Sequence, residues 1–210
     1  MKKKFALGGK KLNRHIVSDP LPPSLITALS DLMRWSVSGR VPLVIVGGVA
    51  ASLLGRTRLT RDIDALVSIA EDRWQAAVEQ SKGFGFLPRI ENAVEFAQRS
   101  RVLLLRHVAT DIEIDLMLCG LPFEQDAVSN ARLVNVDGVM VALPRVEDLL
   151  IMKAIAHRPR DMADIEGLID AHPETDFEFV RKWVKEFSIA ATMPDLLTDL
   201  EKLVERAPQK

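Results

Sequence analysis

LVIVGGVAASLLGRTRLTRDIDALV, residues 43–67, is the stretch from which the rest of the chain can be read. Its apolar start, Leu43 to Val46, has the length and composition of a short buried strand that stops at Gly47-Gly48. Small and apolar residues from Val49 to Leu54 fit a helix packed closely on that strand. After the basic run from Arg56 to Arg61, Asp62-Ile63-Asp64-Ala65-Leu66-Val67 reads as a second strand. Alternate side chains of a strand share a face, so Asp62 and Asp64 project together while Ile63 and Ala65 point into the core. Two carboxylates that close repel each other unless a cation or a proton lies between them, and oxygen-only donors suit a hard divalent ion such as magnesium. The glycines, lacking a Cβ, allow a tight turn and a close approach of backbone N–H groups to an anion, to which a following helix adds its positive end. Read singly, Gly-Gly is a turn and Asp-x-Asp a solvated strand edge. Together, with arginines between them, they describe a site for a nucleoside triphosphate.

With Arg58-x-Thr60-x-Asp62-Ile63-Asp64 following the glycines, the stretch resembles the signature of the DNA polymerase beta-like nucleotidyltransferase superfamily. Within it the resemblance is to the minimal bacterial members, and closest to the AbiEii-type family, which includes toxins of toxin–antitoxin pairs. It extends from the first strand to the helix over Asp161 to Ile169. It implies an α+β nucleotidyltransferase fold: a small mixed β-sheet flanked by helices, with a C-terminal helical bundle.

The 210 residues give room for one large domain, or a core with a helical appendage, and 48% hydrophobic with 27% charged residues is a globular balance. A net charge of −1 exerts no overall pull on nucleic acid, so any such attraction must come from a local patch. A single cysteine, Cys119, excludes an internal disulfide and cysteine-rich zinc sites, and fits a reducing cytosol. The basic start lacks the apolar stretch of about 7–15 residues that export requires, and no run approaches the roughly 18 apolar residues of a membrane span. The expectation is a cytoplasmic protein without a membrane partner. Residues 1–22 read as a basic tail, 23–143 as the nucleotidyltransferase core and 144–210 as a helical C-terminal subdomain. The change falls at Pro144, beyond which the pattern is purely helical.

Along the chain, Ser24 is a candidate cap for a helix to about Val37. Glu71 to Gln80 reads as an amphipathic helix, Gly83-Phe84-Gly85 as a turn, and Glu91 to Ala97 as an ambiguous stretch with a short helix among its readings. Arg101 to Val108 and Ile112 to Leu118 read as partnering strands turned at Thr110-Asp111. The second alternates, with Ile112, Ile114, Leu116 and Leu118 on one face and Glu113 and Asp115 on the other. Asp115 matches the family's third carboxylate, with Glu113 as its alternative. Phe123 to Ala131 should be helical, and Asp137-Gly138 between apolar runs is the strongest short hairpin signal in the chain. Phe177 to Phe187 and Pro194 to Glu205 read as two amphipathic helices.

A helix from about Val146 to His157 would set Lys153 on the apolar stripe of Val146, Leu149 and Leu150. A lysine there usually turns its amine out to water. The sharper reading is that it reaches a buried anion, which in the family would be a triphosphate; the other reading is a structural lysine paired with Asp161 or Asp164. The resemblance continues through a basic stretch with Arg158 and then Arg160, Asp161 and Asp164, which match the family's R-D-x-x-D. Asp161 reads equally as a helix cap and as a functional group; Asp164 belongs with the site because it falls near Leu168 on the inward face.

The resemblance implies in-line transfer of a nucleoside monophosphate from a nucleoside triphosphate to an acceptor hydroxyl, with release of pyrophosphate. The catalytic candidates are Asp62, Asp64, Asp115, Lys153 and Asp164. The nucleotide-binding candidates are Gly47, Gly48, Arg58, Thr60, Lys153 and Asp161. Asp62, Asp64 and Asp115 would ligate two magnesium ions, or manganese in their place. The acceptor stays open among a tRNA 3′ end, a protein hydroxyl and a small molecule such as an antibiotic; Arg56, Arg58 and Arg61 are the candidate basic surface for RNA. A toxin would bring an antitoxin protein as partner. The alternative from another class is a non-catalytic protein that keeps the fold to sense nucleotide or bind a partner. Since the chain has no tyrosine, self-modification on tyrosine is excluded.

Overall fold

The computed structural model describes residues 21–206, so the basic tail expected over residues 1–22 lies, but for its last two residues, outside the described residues. Pro23 opens helix α1 (Pro23–Gly39), where a missing N–H costs no hydrogen bond. The N-cap position falls to Pro22 and Ser24 lies exposed in the first turn, which corrects the expected cap. Arg40 ends the helix in the left-handed region, φ 50°, and delivers the chain into β1 (Leu43–Val46), buried at all four residues. Helix α2 (Gly47–Leu54) begins on the glycines themselves, two residues earlier than expected, and β2 (Asp62–Val67) follows the basic loop.

A 3-10 turn at Glu71–Arg73 leads into α3 (Trp74–Lys82), then β3 (Phe86–Pro88), α4 (Ala93–Ser100), β4 (Val102–His107) and β5 (Ile112–Leu118). Next come α5 (Pro122–Ser129), the hairpin β6 (Arg132–Val136) and β7 (Val139–Leu143), and the helices α6 (Val146–Ala156), α7 (Pro159–Ala171), α8 (Phe177–Ala191) and α9 (Asp195–Arg206). Asp137 and Gly138 turn the hairpin with φ of 48° and 88°, the positive pair that a two-residue turn requires. The ambiguous stretch around Glu91 resolves into α4. Strand β3 has no counterpart in the sequence reading, since three residues are too few to show a period.

The sheet runs β1-β2-β5-β4-β3 and is mixed: β2 and β5 are parallel, and the other neighbours antiparallel. Its register pairs Ile63 with Ile114 and Ala65 with Leu116 on the core face. On the opposite face it sets Asp62 beside Glu113 and Asp64 beside Asp115. Further along that same face Val44, Val46 and Leu66 pack beneath Ala127 and Val128 of α5. Helix α5 therefore covers the apolar end of the face and leaves the acidic end open.

The helices after Pro144 do not keep a core of their own. Leu149, Leu150, Ile165, Leu168, Val184 and Leu200 belong to the same buried cluster as Leu25, Ile63 and Leu116. Helix α8 joins the sheet side through rings, with Trp183 centred 5.1 Å from Phe123 of α5. Among the described residues no helix is long and apolar enough to cross a membrane.

Candidate active site

The site starts where β1 becomes α2. Gly47 adopts φ +60°, and a Cβ there would lie 1.9 Å from Asp64 Oδ2. A Cβ on Gly48 would come within 2.6 Å of Thr60 Oγ1 and 3.0 Å of Arg58 Nη2. The glycine pair is thus pressed against three of the other expected site residues, and only the lack of side chains makes the approach feasible. The Asp64 carboxylate occupies the space that a side chain on Gly47 would fill, so the protein's own carboxylate is seated against the expected phosphate cradle.

Asp62 is exposed at the start of β2, and Thr60 Oγ1 donates to its Oδ1 at 2.8 Å. Asp64 is held above the usual carboxylate range, first by burial and then by the charges of Asp62 and Asp115, while Lys153 and the Gly48 N–H pull the other way. Asp115 is also raised: burial is the largest cause, opposed by Arg89, with Asp62 and Glu113 adding to the rise. These are oxygen donors that resist carrying their charges together, the chemistry that a hard cation relieves. The donor set therefore fits a divalent ion. In this conformation no three acids among the described residues converge as a metal cluster. Arg89 donates Nη1 to Glu113 and Nη2 to Asp115.

A second group lies on the side of α6 and α7. Lys153 Nζ sits 2.8 Å from Asp161 Oδ1 and 2.7 Å from Asp164 Oδ2. Arg58 grips Asp164 with two N–H groups, and Arg158 donates Nε to Asp161 Oδ2 at 2.6 Å. Lys153 does not turn its amine out to water: it is buried between two carboxylates, which is the structural pairing with Asp161 and Asp164. Burial by itself would raise Asp161; hydrogen bonds from Arg158 and then Lys153 outweigh it and hold the carboxyl below its usual range. Asp164 is lowered in the same way, with Arg58 ahead of Lys153. Asp161 stands third in α7 and accepts from the Arg158 backbone N–H at 3.3 Å, so it closes the start of the helix without being its cap residue. Three cations face two carboxylates here, leaving one positive charge beside the acids of β2.

All the expected site residues therefore gather in two adjoining groups, joined by Arg58. The arginines meant as a nucleic-acid surface fare differently. Arg58 is held by Asp164, whereas Arg56, paired with Asp170 at the surface, and Arg61 both stay exposed. Arg89 was invisible to motif reading. The signal that could have found it is the acid pair Glu113 and Asp115, because two like charges on one strand face call for a cation opposite.

A strand, a glycine turn into a helix, and acids in register on the next two strands define a protein of nucleotidyltransferase type. The chain belongs to the family described as nucleotidyltransferase of unknown function (DUF6036), whose model matches residues 25–196. Among solved structures it is similar to the antibiotic-resistance factor ANT(2'')-Ia in solution, with a TM-score of 0.57 and 16% identity over 83% of this chain and 97% of that one. The crystal structure of ANT(2'')-Ia with adenylyl-2''-tobramycin gives 0.55 and 17%, covering 80% and 99%. An antigenic nucleotidyltransferase-like protein from Paracoccidioides brasiliensis gives 0.52 and 16%, covering 87% and 95%. At these identities the likeness speaks for the fold. No curated protein matches the sequence.

Proposed function

We propose that this nucleotidyltransferase transfers a nucleoside monophosphate from a nucleoside triphosphate to an acceptor hydroxyl, releases pyrophosphate, and depends on magnesium or manganese. The observation that carries this reading is the seat of Gly47 against Asp64, which brings a helix N-terminus onto the acid of β2 that lies in register with Asp115. Asp62, Asp64 and Asp115 would hold the metal, which when bound supplies neutralising charge to the phosphates and a lowered pKa to the acceptor hydroxyl.

The chain's own residues position the reactants. Thr60 fixes the Asp62 carboxylate, and that of Asp64 is seated against Gly47. Asp161 and Asp164 hold Lys153, Arg58 and Arg158 in one cluster whose surplus positive charge draws the triphosphate tail towards α7. Arg158, with half of its side chain exposed, is the member of the cluster that meets solvent most. Catalysis of this kind is positioning plus charge stabilisation.

The acceptor favoured is a small hydroxyl compound. Of the three arginines considered for RNA, Arg58 is bound by Asp164 and the exposed Arg56 has its charge offset by Asp170, while β5 presents Glu113 and Asp115. That ANT(2'')-Ia has been seen with adenylyl-2''-tobramycin accords with this choice. Kinship with the AbiEii-type toxins, a tRNA acceptor and an antitoxin partner rest on the Arg58 to Asp64 signature and its downstream match alone; a cytoplasmic location rests on the single cysteine.

The test is incubation with each nucleoside triphosphate labelled at the α-phosphate, magnesium, and panels of small hydroxyl compounds and tRNA. Metal-dependent pyrophosphate release, lost in Asp64→Asn, is the expected result. Triphosphate binding without turnover on any acceptor would favour the sensor reading instead.

A further inference from the structure

Arg89 lies just beyond β3, outside every motif, and its backbone N–H is tied to Leu104 O at 2.9 Å. Its side chain is 18% exposed, whereas those of Glu113 and Asp115 are 46% and 39% exposed. The guanidinium spans both carboxylates, yet its Nε is buried without a partner among the described residues. A buried donor left unpaired is a cost that a purely structural arginine would be expected to avoid. Glu113 also accepts from Arg106 Nη2, at 3.4 Å. Asp115 is the register partner of Asp64.

We propose that Arg89 is a positioning residue that stands in for the metal at Asp115 and shifts its hold onto Glu113 when a divalent ion binds. The inference rests on the metal-dependent reading above. A guanidinium and a divalent cation repel each other, so an ion entering beside Asp64 weakens the Arg89–Asp115 bond. Glu113 offers a second carboxylate already within the same guanidinium's reach, so the arginine needs no new partner when Asp115 is given up. Until then Arg89 supplies the positive charge that keeps Asp115 ordered next to Asp62, Asp64 and Glu113. Arg89 thereby sets how much free metal is needed to assemble the site.

The experiment is Mn2+ binding by the full-length protein without nucleotide, followed through the paramagnetic resonance signal of free Mn2+. It compares the wild type, Arg89→Met, Glu113→Gln and the double variant, each checked for folding by circular dichroism. Arg89→Met should bind about tenfold tighter, because a competing charge beside the acids is gone. Glu113→Gln should bind about threefold more weakly, because Arg89 then falls wholly on Asp115. In the double variant the Glu113→Gln loss should disappear, since it acts through the arginine. Unchanged or weaker binding in Arg89→Met, or an equal Glu113→Gln loss in both backgrounds, would overturn the proposal. If Arg89→Met fails to fold, Arg89→Gln takes its place in the cycle, with tighter binding and a vanishing Glu113→Gln loss expected, and with an equal loss in both backgrounds overturning the proposal. No Mn2+ binding by the wild type or any variant would remove the metal-dependent reading itself; binding that ignores Arg89 removes only this inference.

Discussion

Arg58 and Asp164, 106 residues apart, meet fork to fork, with Nε 2.7 Å from Oδ1 and Nη2 3.0 Å from Oδ2. The pair fastens the loop ahead of β2 to α7. Arg58→Lys keeps the charge but not the fork, and should lower stability by about 1.5–3 kcal/mol, the range for hydrogen bonds to charged groups. A lower urea midpoint with an unchanged slope would show it.

Lys153→Met tests the core of the second group. With a side chain 4% exposed, Lys153 separates two carboxylates that are themselves at most 4% exposed. Removing it leaves Asp161 to Arg158 and Asp164 to Arg58 alone, and the lost bonds to a charged group should lower stability by about 1.5–3 kcal/mol without any ligand present. A lysine waiting unpaired for a triphosphate would give the opposite sign, because methionine would then stabilise the free protein. Urea denaturation of this one variant decides between the two.

Gly47→Ala should lose magnesium-dependent triphosphate binding in a thermal-shift assay, since its Cβ would have to displace the Asp64 carboxylate. Gly138→Ala is the control. At φ +88° with nothing within 4 Å of an added Cβ, it carries the cost of left-handed backbone, about 1–2 kcal/mol, and no effect on the ligand.

The pH dependence of the metal-free protein has two opposed limbs. Asp64 and Asp115 titrate above the ordinary carboxylate value of about 3.9, so their ionised forms lower stability at neutral pH, and that loss is recovered as pH falls through their folded values. Asp161 and Asp164 titrate below it, so they contribute stability that is full above the unfolded value and lost as pH falls through the folded one. The melting temperature should therefore rise as pH falls through the folded values of Asp64 and Asp115, and drop once it falls below about 4. Asp64→Asn should flatten the first limb, and Lys153→Met the second.

Much of this was legible because it depends on near neighbours in the chain. The glycine turn, the Asp62 and Asp64 face and the Asp137-Gly138 hairpin each follow from the period of a strand or the backbone needs of a turn. What stayed hidden depends on distant pairings. The side on which Asp115 lies follows from β5 alone, but its register with Asp64 arises only when two strands 50 residues apart lie parallel. Lys153 could be placed on an apolar stripe with Asp161 or Asp164 as a candidate partner, yet that it lies between both of them follows only from the next helix folding back against it. Arg89 carries no local signal at all, because its meaning comes from the acid pair across the sheet.

The Arg58–Asp164 pair also has a consequence for synthesis. The chain leaves the ribosome N-terminus first, so Arg58 emerges 106 residues ahead of its partner. At about 5–20 residues per second that is roughly 5–20 s in which the acids of β2 exist without the helix that braces their loop. A chain whose translation stops short of α7 would carry the whole Gly47 to Asp64 signature and still lack the clamp, so unfinished copies should accumulate as inert protein and not as miniature enzymes.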